Sequence, residues 1–358
     1  MKVFLVGGFL GSGKTTAIQK ASTILLERGK NVGVITNDQG DQLVDHRFIN
    51  SFGIPSLEVI NGCFCCRFDQ FKERVDTLSE TNATEIIFAE SVGSCTDLVA
   101  TVVKPLLQLQ RELEVIVSVF VDARVLPTVI RGSRLFADSV NYIYRKQVEE
   151  ADVLVVNKID LVEDKSLKEL VELVQRHYPD KAVVYQDSLN LQSIGQWLMV
   201  LNNRDSKEIK ESLELDYDLY GAGEAELAWL DQEIMISSSN RKGIELSEKF
   251  INKVYAKLVS QNLPIGHLKF FLNDGFHSQK ISFTTINQEA TVSLSKVNEV
   301  SEISVLINAR VQAETEALKK IVADAISEID QQEDCIIVEK FKSAFQPGYP
   351  KPLHRILN

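Results

Sequence analysis

The sequence has no apolar run long enough to cross a bilayer. Its longest β-branched stretch, Val115–Val121, is interrupted by Ser118 and stays far below the roughly 18 residues of a spanning helix. Positive charge is also short. Lys and Arg number 39 against 50 Asp and Glu, a formal net charge of −11, the wrong sign for gripping nucleic acid or anionic lipid. No nucleic acid and no membrane is therefore expected as a partner. The five cysteines, at positions 63, 65, 66, 95 and 335, are odd in number, and three crowd into four residues, which does not suit a secreted disulfide framework. Met1 and Lys2 run straight into a strand-like segment without a leader pattern, so the expected compartment is cytoplasmic.

What is present is ordinary globular material: 44% hydrophobic and 25% charged residues over 358 positions, enough for two domains with real cores. Short apolar runs recur at Val3–Val6, Val32–Thr36, Leu57–Ile60, Ile86–Ala89, Val115–Val121, Val153–Val156 and Ala182–Tyr185. Between them Thr15–Arg28, Gln70–Leu78, Thr96–Leu109 and Ser166–His177 carry helical spacing. That alternation predicts a doubly wound α/β domain with a mostly parallel sheet over residues 1–203. A charged stretch at 204–228 reads as a linker. A smaller α+β domain is expected over 229–330, with strands at Glu233–Ser237, Leu268–Leu272, Lys280–Ile286, Thr291–Leu294 and Ile303–Ala309 and helices at Ile244–Val259 and Glu314–Ile329. Residues 331–358, with Pro347, Pro350 and Pro352, read as an extended tail, more mobile than functional.

Gly8-Phe9-Leu10-Gly11-Ser12-Gly13-Lys14-Thr15 has the form GxxxxGK[ST], placed after an apolar strand and before a helix. Gly8, Gly11, Ser12, Gly13, Lys14, Thr15 and Thr16 are therefore candidate nucleotide ligands. The glycines let backbone amides turn toward phosphate oxygens, Lys14 reaches the β- and γ-phosphates, and Thr15 ligates Mg²⁺. Asn157-Lys158-Ile159-Asp160 follows another buried-type strand, where doubly wound folds bind ligands. A carboxylate at Asp160 accepts from N1–H and the 2-amino group of guanine, which adenine lacks, so GTP is favoured over ATP.

Asn61-Gly62-Cys63-Phe64-Cys65-Cys66 offers three thiolates that converge if the chain turns. They supply three of four tetrahedral ligands for Zn²⁺, with Co²⁺ or Ni²⁺ compatible. The fourth position is open to water, a partner protein, Cys95 or His46.

GGFLGSGKTT, GCFCC, AESVG and NKID, in this order over residues 1 to 200, resemble the CobW-like family of P-loop GTPases, associated with cobalamin metabolism and with metal delivery. The resemblance implies slow hydrolysis of GTP to GDP and phosphate. It implies Lys14, Asp38 and Glu90 as the catalytic set, Glu90 as the Walker B acid that joins Thr15 at Mg²⁺, and Asn157, Lys158 and Asp160 as the guanine readers. It also implies Cys63, Cys65 and Cys66 as the metal site, with a client metalloenzyme as partner. An alternative within it is a GTP-dependent chaperone that loads or reactivates a cobalamin-dependent protein, the cysteine loop then being structural. Where the family has Asn-Glu-x-Gly, this chain has Asn37-Asp38-Gln39-Gly40, so the shorter Asp38 is expected to act through Mg²⁺-bound water. The histidine-rich stretch of many relatives is replaced by five scattered histidines, which argues against metal storage.

Overall fold

The computed structural model describes residues 1–40, 44–132, 135–204, 211–285 and 299–357. The seven apolar runs form seven strands: β1 (Lys2–Gly8), β2 (Val32–Asn37), β3 (Ser56–Val59), β4 (Ile86–Glu90), β5 (Glu114–Asp122), β6 (Val153–Asn157) and β7 (Ala182–Gln186). They pair in parallel in the order β3-β2-β4-β1-β5-β6-β7. Five of them, β1, β2, β4, β5 and β6, are buried along nearly their whole length. Such strands need apolar side chains on both faces, which is why they read as continuous runs. Ser118, the polar break in β5, is itself buried and accepts a hydrogen bond from the Trp197 indole at 3.0 Å.

The helices are α1 (Lys14–Glu27), α2 (Val44–Asn50), α3 (Phe68–Asn82), α4 (Lys104–Leu109), α5 (Leu126–Ile130), α6 (Asp138–Glu150), α7 (Asp164–His177), α8 (Leu191–Asn203) and α9 (Tyr217–Ala225). The helix expected over Thr96–Leu109 instead begins as a π-helical stretch, Val99–Val103, before α4. Residues 205–210 of the expected linker lie outside the described residues, and α9 occupies much of its remainder.

A second unit comprises residues 40–51 and 224–348, and so includes α2. Its other elements are β8 (Leu227–Ser237), α10 (Gly243–Ser260), β9 (Ile265–Asn273), β10 (Ser278–Phe283), β11 (Glu302–Gln312), α11 (Thr315–Gln332) and β12 (Ile336–Phe345). The strands are antiparallel in the order β10-β9-β11-β8-β12. Val305, Ile307 and Ala309 of β11 face the core made with Phe250, Val254 and Leu258 of α10 and Val322 and Ile329 of α11. Leu306, one step out of phase, packs with Val44 of α2 and Phe271, as strand alternation requires.

The expected tail differs here. Residues 336–345, read as tail, are β12, paired along β8. The expected strand Thr291–Leu294 and the end of Lys280–Ile286 lie outside the described residues. Residues 349–357 belong to the first unit rather than the second. Among the described residues no helix is long and apolar enough to cross a membrane.

Candidate nucleotide site and cysteine cluster

The carboxyl ends of the first unit's strands bring the sequence motifs together. β1 ends in the glycine-rich loop, and the left-handed Gly13 (φ 93°) starts α1 with no side chain capping its amides. A Cβ on Gly13 would lie 2.3 Å from Asn157 Nδ2, so only glycine fits both the turn and its neighbour. The Lys14 ammonium is buried inside the loop, donating to the carbonyls of Gly8 at 2.7 Å and Phe9 at 3.4 Å. Thr15 Oγ1 donates to Glu90 Oε1 at 2.9 Å. Glu90 ends β4, opposite Val6 of β1 in the register, and both side chains are buried. Ser12 is buried, and Thr16 follows half-buried on α1. The loop thus presents helix-terminal amides, an ammonium and a hydroxyl–carboxylate pair, a donor set suited to phosphate and a hard cation.

β6 ends at Asn157, next to Asp122 of β5 and Gln186 of β7. Asn157 Nδ2 donates to Ser12 O at 2.8 Å and Lys158 Nζ to Gly11 O at 2.6 Å. Two of the expected base readers therefore brace the phosphate loop. Asp160, in a single 3₁₀ turn at Ile159–Leu161, is exposed at the same edge. Partial burial and the Asp187 carboxylate raise its pKa. Two further residues belong to this edge. Ser188 Oγ donates to Asn157 Oδ1 at 2.7 Å. Asp122 pairs with Lys158 at 3.0 Å and Arg124 at 2.7 Å; burial opposes its ionisation, but these two cations hold its pKa below the usual value.

The cysteine loop hangs from β2. Asn37 Nδ2 donates to Val59 O at 3.0 Å and Gly62 O at 2.8 Å, and Asn37 Oδ1 accepts from Phe64 N at 2.9 Å. Asp38 follows, its amide donating to Val59 O at 3.2 Å. The chain reverses at the left-handed Asn61 and Gly62, then tightens through Cys66 N and Arg67 N, both donating to Cys63 O. The result gathers the Cys63, Cys65 and Cys66 ligand atoms within 4.8 Å of one another. Cys63 and Cys65 Sγ are 2.7 Å apart, Cys65 and Cys66 Sγ 3.9 Å. Sharing protons within the cluster lowers the Cys63 pKa well below that of a free thiol and raises Cys65, while Cys66 is pushed up to about 11. One thiolate is thus stabilised by its neutral neighbours. Cys95 borders Cys63 and Cys65. His46 sits in α2 of the second unit, its Nε2 2.8 Å from Asn50 Nδ2.

The tail also reaches this loop. Leu353 N donates to Cys65 O and Ile356 N to Ala100 O, each at 2.9 Å. Arg355 Nε donates to the buried Asp97 carboxylate at 2.7 Å, and the His354 ring meets Phe68 edge-on at 5.0 Å.

The chain is similar to several known proteins. The family profile described as CobW/HypB/UreG, nucleotide-binding domain, matches residues 2–185. The zinc chaperone CobW of Sinorhizobium sp is 29% identical over 189 residues, covering 46% of this chain and 52% of that protein. The zinc chaperone YjiA of Escherichia coli (strain K12) is 34% identical over 99 residues, covering 27% and 30%. The chain spans about half the length of the first of these curated relatives and less of the second. Among solved structures, HypB from Helicobacter pylori in complex with nickel is 16% identical, covering 60% of this chain and 91% of that one, with a TM-score of 0.44. A zinc-bound triple mutant of the YjiA GTPase is 17% identical, covering 91% and 98%, with a TM-score of 0.37. With the family profile extending over more than half of its residues, this chain belongs to the CobW/HypB/UreG family.

Proposed function

We propose that this protein hydrolyses GTP slowly and couples its nucleotide state to carrying a divalent transition metal, zinc first, to a client metalloenzyme. The observation that carries the reading is spatial. One strand edge holds Lys14, Thr15, Glu90 and Asp160, and Asn37 at the same edge fastens the three-cysteine loop. The names of the curated relatives, zinc chaperones, support the choice of metal.

In this reading Lys14 and the loop amides hold the β- and γ-phosphates and stabilise the charge that spreads over the transferring group. Thr15 and Glu90 fit Mg²⁺, being a hydroxyl and a carboxylate 2.9 Å apart in a buried site; Mg²⁺, when bound, supplies further neutralisation of phosphate charge. Asp38, at the end of β2, orients the attacking water, and Asp160 accepts from guanine. The cysteines are the cargo site, which Co²⁺ or Ni²⁺ also suit.

The test is anaerobic zinc titration of the full chain with GDP and with a non-hydrolysable GTP analogue, repeated with Cys65→Ser. Linkage requires that metal and nucleotide change each other's affinity by one common factor, typically about 5- to 150-fold. Equal zinc Kd in both nucleotide states removes the coupling. An unaffected Cys65→Ser variant leaves the second reading, a GTP-dependent chaperone that loads or reactivates a cobalamin-dependent protein, with the cysteine loop structural.

A further inference from the structure

Three loop sulfurs leave one tetrahedral position, and the fold determines what faces it. Cys95 comes from a separate element, the segment after β4, yet its side chain borders both Cys63 and Cys65. Cys95, Cys63 and Cys65 are only 1%, 3% and 2% exposed, so that side of the cluster is closed to solvent. Cys66 is half-buried and marks the open side. The backbone around Cys95 is fixed independently of the sulfurs. Cys95 N donates to Val92 O at 3.0 Å. The buried Gln147 Nε2 donates to Cys95 O at 2.8 Å and to Gly93 O at 3.0 Å. On the far side Thr96 Oγ1 donates to the buried Glu150 carboxyl at 3.2 Å. Clamps from α6 therefore hold the thiol against the loop.

We propose that Cys95 is the fourth thiolate of the cargo site, so that Cys63, Cys65, Cys66 and Cys95 together enclose one divalent ion. The proposal rests on the metal-carrying reading above. Zinc–thiolate bonds of about 2.3 Å place tetrahedral sulfurs about 3.8 Å apart. Cys65 and Cys66 already stand at 3.9 Å, and the Cys63–Cys65 pair at 2.7 Å opens as the ion enters. Binding is ligand exchange without redox change: four sulfur–metal bonds replace the bonds the incoming ion had to water, which is released, and every thiol that was protonated gives its proton to solvent. Four thiolates make a closed site of the kind that retains zinc, whereas three leave a position for an incoming ligand. Cys95 follows Glu90 by five residues in the chain. A shift of that segment with the γ-phosphate would withdraw one ligand and open the ion to a recipient.

X-ray absorption at the zinc edge of the full-length, anaerobically loaded protein reads the ligands directly. Four sulfurs are expected in the wild type; three sulfurs with a lighter fourth donor would overturn the assignment. Because this count needs no substitution, it stands even if a Cys95 variant unfolds. In competition with a chromophoric chelator, Cys95→Ala and Cys95→Ser should bind zinc at least about 10-fold more weakly, and Cys95→Ala should show three sulfurs. Weak binding by Cys65→Ser with unchanged binding by Cys95→Ala removes the fourth ligand alone. No zinc on the wild type, or an unaffected Cys65→Ser, removes the metal-carrying reading beneath it.

Discussion

At the scale of single residues, the side chains fall into those proposed to meet ligand and those that hold others in place. Lys14 donates to the loop carbonyls of Gly8 and Phe9, so Lys14→Ala should abolish GTP binding and turnover while the far-ultraviolet spectrum stays wild-type; retained hydrolysis would mean the loop is not the site. Asp160→Asn should narrow the preference for GTP over ATP, read by nucleotide competition, since an amide cannot accept from both guanine donors while an unpaired carboxylate penalises adenine. Glu150 makes a pH prediction. Burial, against the hydrogen bond from Val99 N, raises its pKa to about 8. In the unfolded chain it titrates near 4.5, so the folded state holds the extra proton between these values. Its contribution is full below about pH 4.5 and is lost as pH rises to about 8. Glu150→Gln should match the wild type at pH 4 and exceed it at pH 9 by a few kcal/mol, about 1.4 kcal/mol for each pH unit between the two values; equal melting at both pH values would contradict this. The positions of the motif residues were legible because motif spacing reports a local loop. Ser188, Asp122 and Gln147 were not, because each acts on a partner distant in sequence and an isolated polar residue at a strand end or on a helix carries no pattern.

At the scale of elements, apolar periodicity located all seven strands of the first sheet and both long helices of the second unit, since each buries a continuous stripe or both faces. It missed β12 because that strand lies at a sheet edge, with Ile336 65% and Val338 43% exposed and Glu339, Lys340 and Lys342 among its residues. Its apolar contribution is confined to a few partly buried side chains such as Ile337 and Ala344, and backbone pairing along β8 does much of the rest. Tail residues 349–357 were illegible for a related reason: hydrogen bonds to main-chain and side-chain groups, the Arg355–Asp97 ion pair and ring contacts hold them rather than an apolar stripe. Arg355 supplies the cation for Asp97, which is fully buried, is held at φ 65° and also accepts from Tyr217 OH at 2.8 Å. Arg355→Ala should cost about 1–3 kcal/mol by leaving that carboxylate under-satisfied. It should also speed alkylation of Cys66, because Leu353 N binds the carbonyl of neighbouring Cys65. An unchanged melting temperature together with an unchanged alkylation rate would show the tail is not a fastening.

At the scale of the whole molecule, the decisive feature is where the chain changes unit. Asn37, Asp38 and Gln39 end in the first unit, and Gly40 opens the piece built into the second. Gly40 lies against the buried Asp231–Arg310 pair, whose 2.7 Å contact is joined by Asn308 Nδ2 and covered by Trp229; a Cβ there would fall 1.7 Å from Asp231 Oδ2. Asn308 in turn accepts from Val44 N, the first amide of α2, at 2.8 Å. A segment expected to respond to the γ-phosphate thus precedes in the chain a helix that belongs to the other unit. Gly40→Ala should destabilise the second unit by about 3 kcal/mol, the scale of breaking a buried ion pair. Nucleotide exchange gives the sharper test. Amide hydrogen exchange across Val44–Asn50 should differ between the GDP state and the GTP-analogue state if the segment Asn37–Gln39, which precedes α2 in the chain, responds to the γ-phosphate. The difference should vanish in Lys14→Ala, which cannot hold the phosphates. Protection that is identical in both nucleotide states of the wild type would mean that the second unit takes no part in the switch.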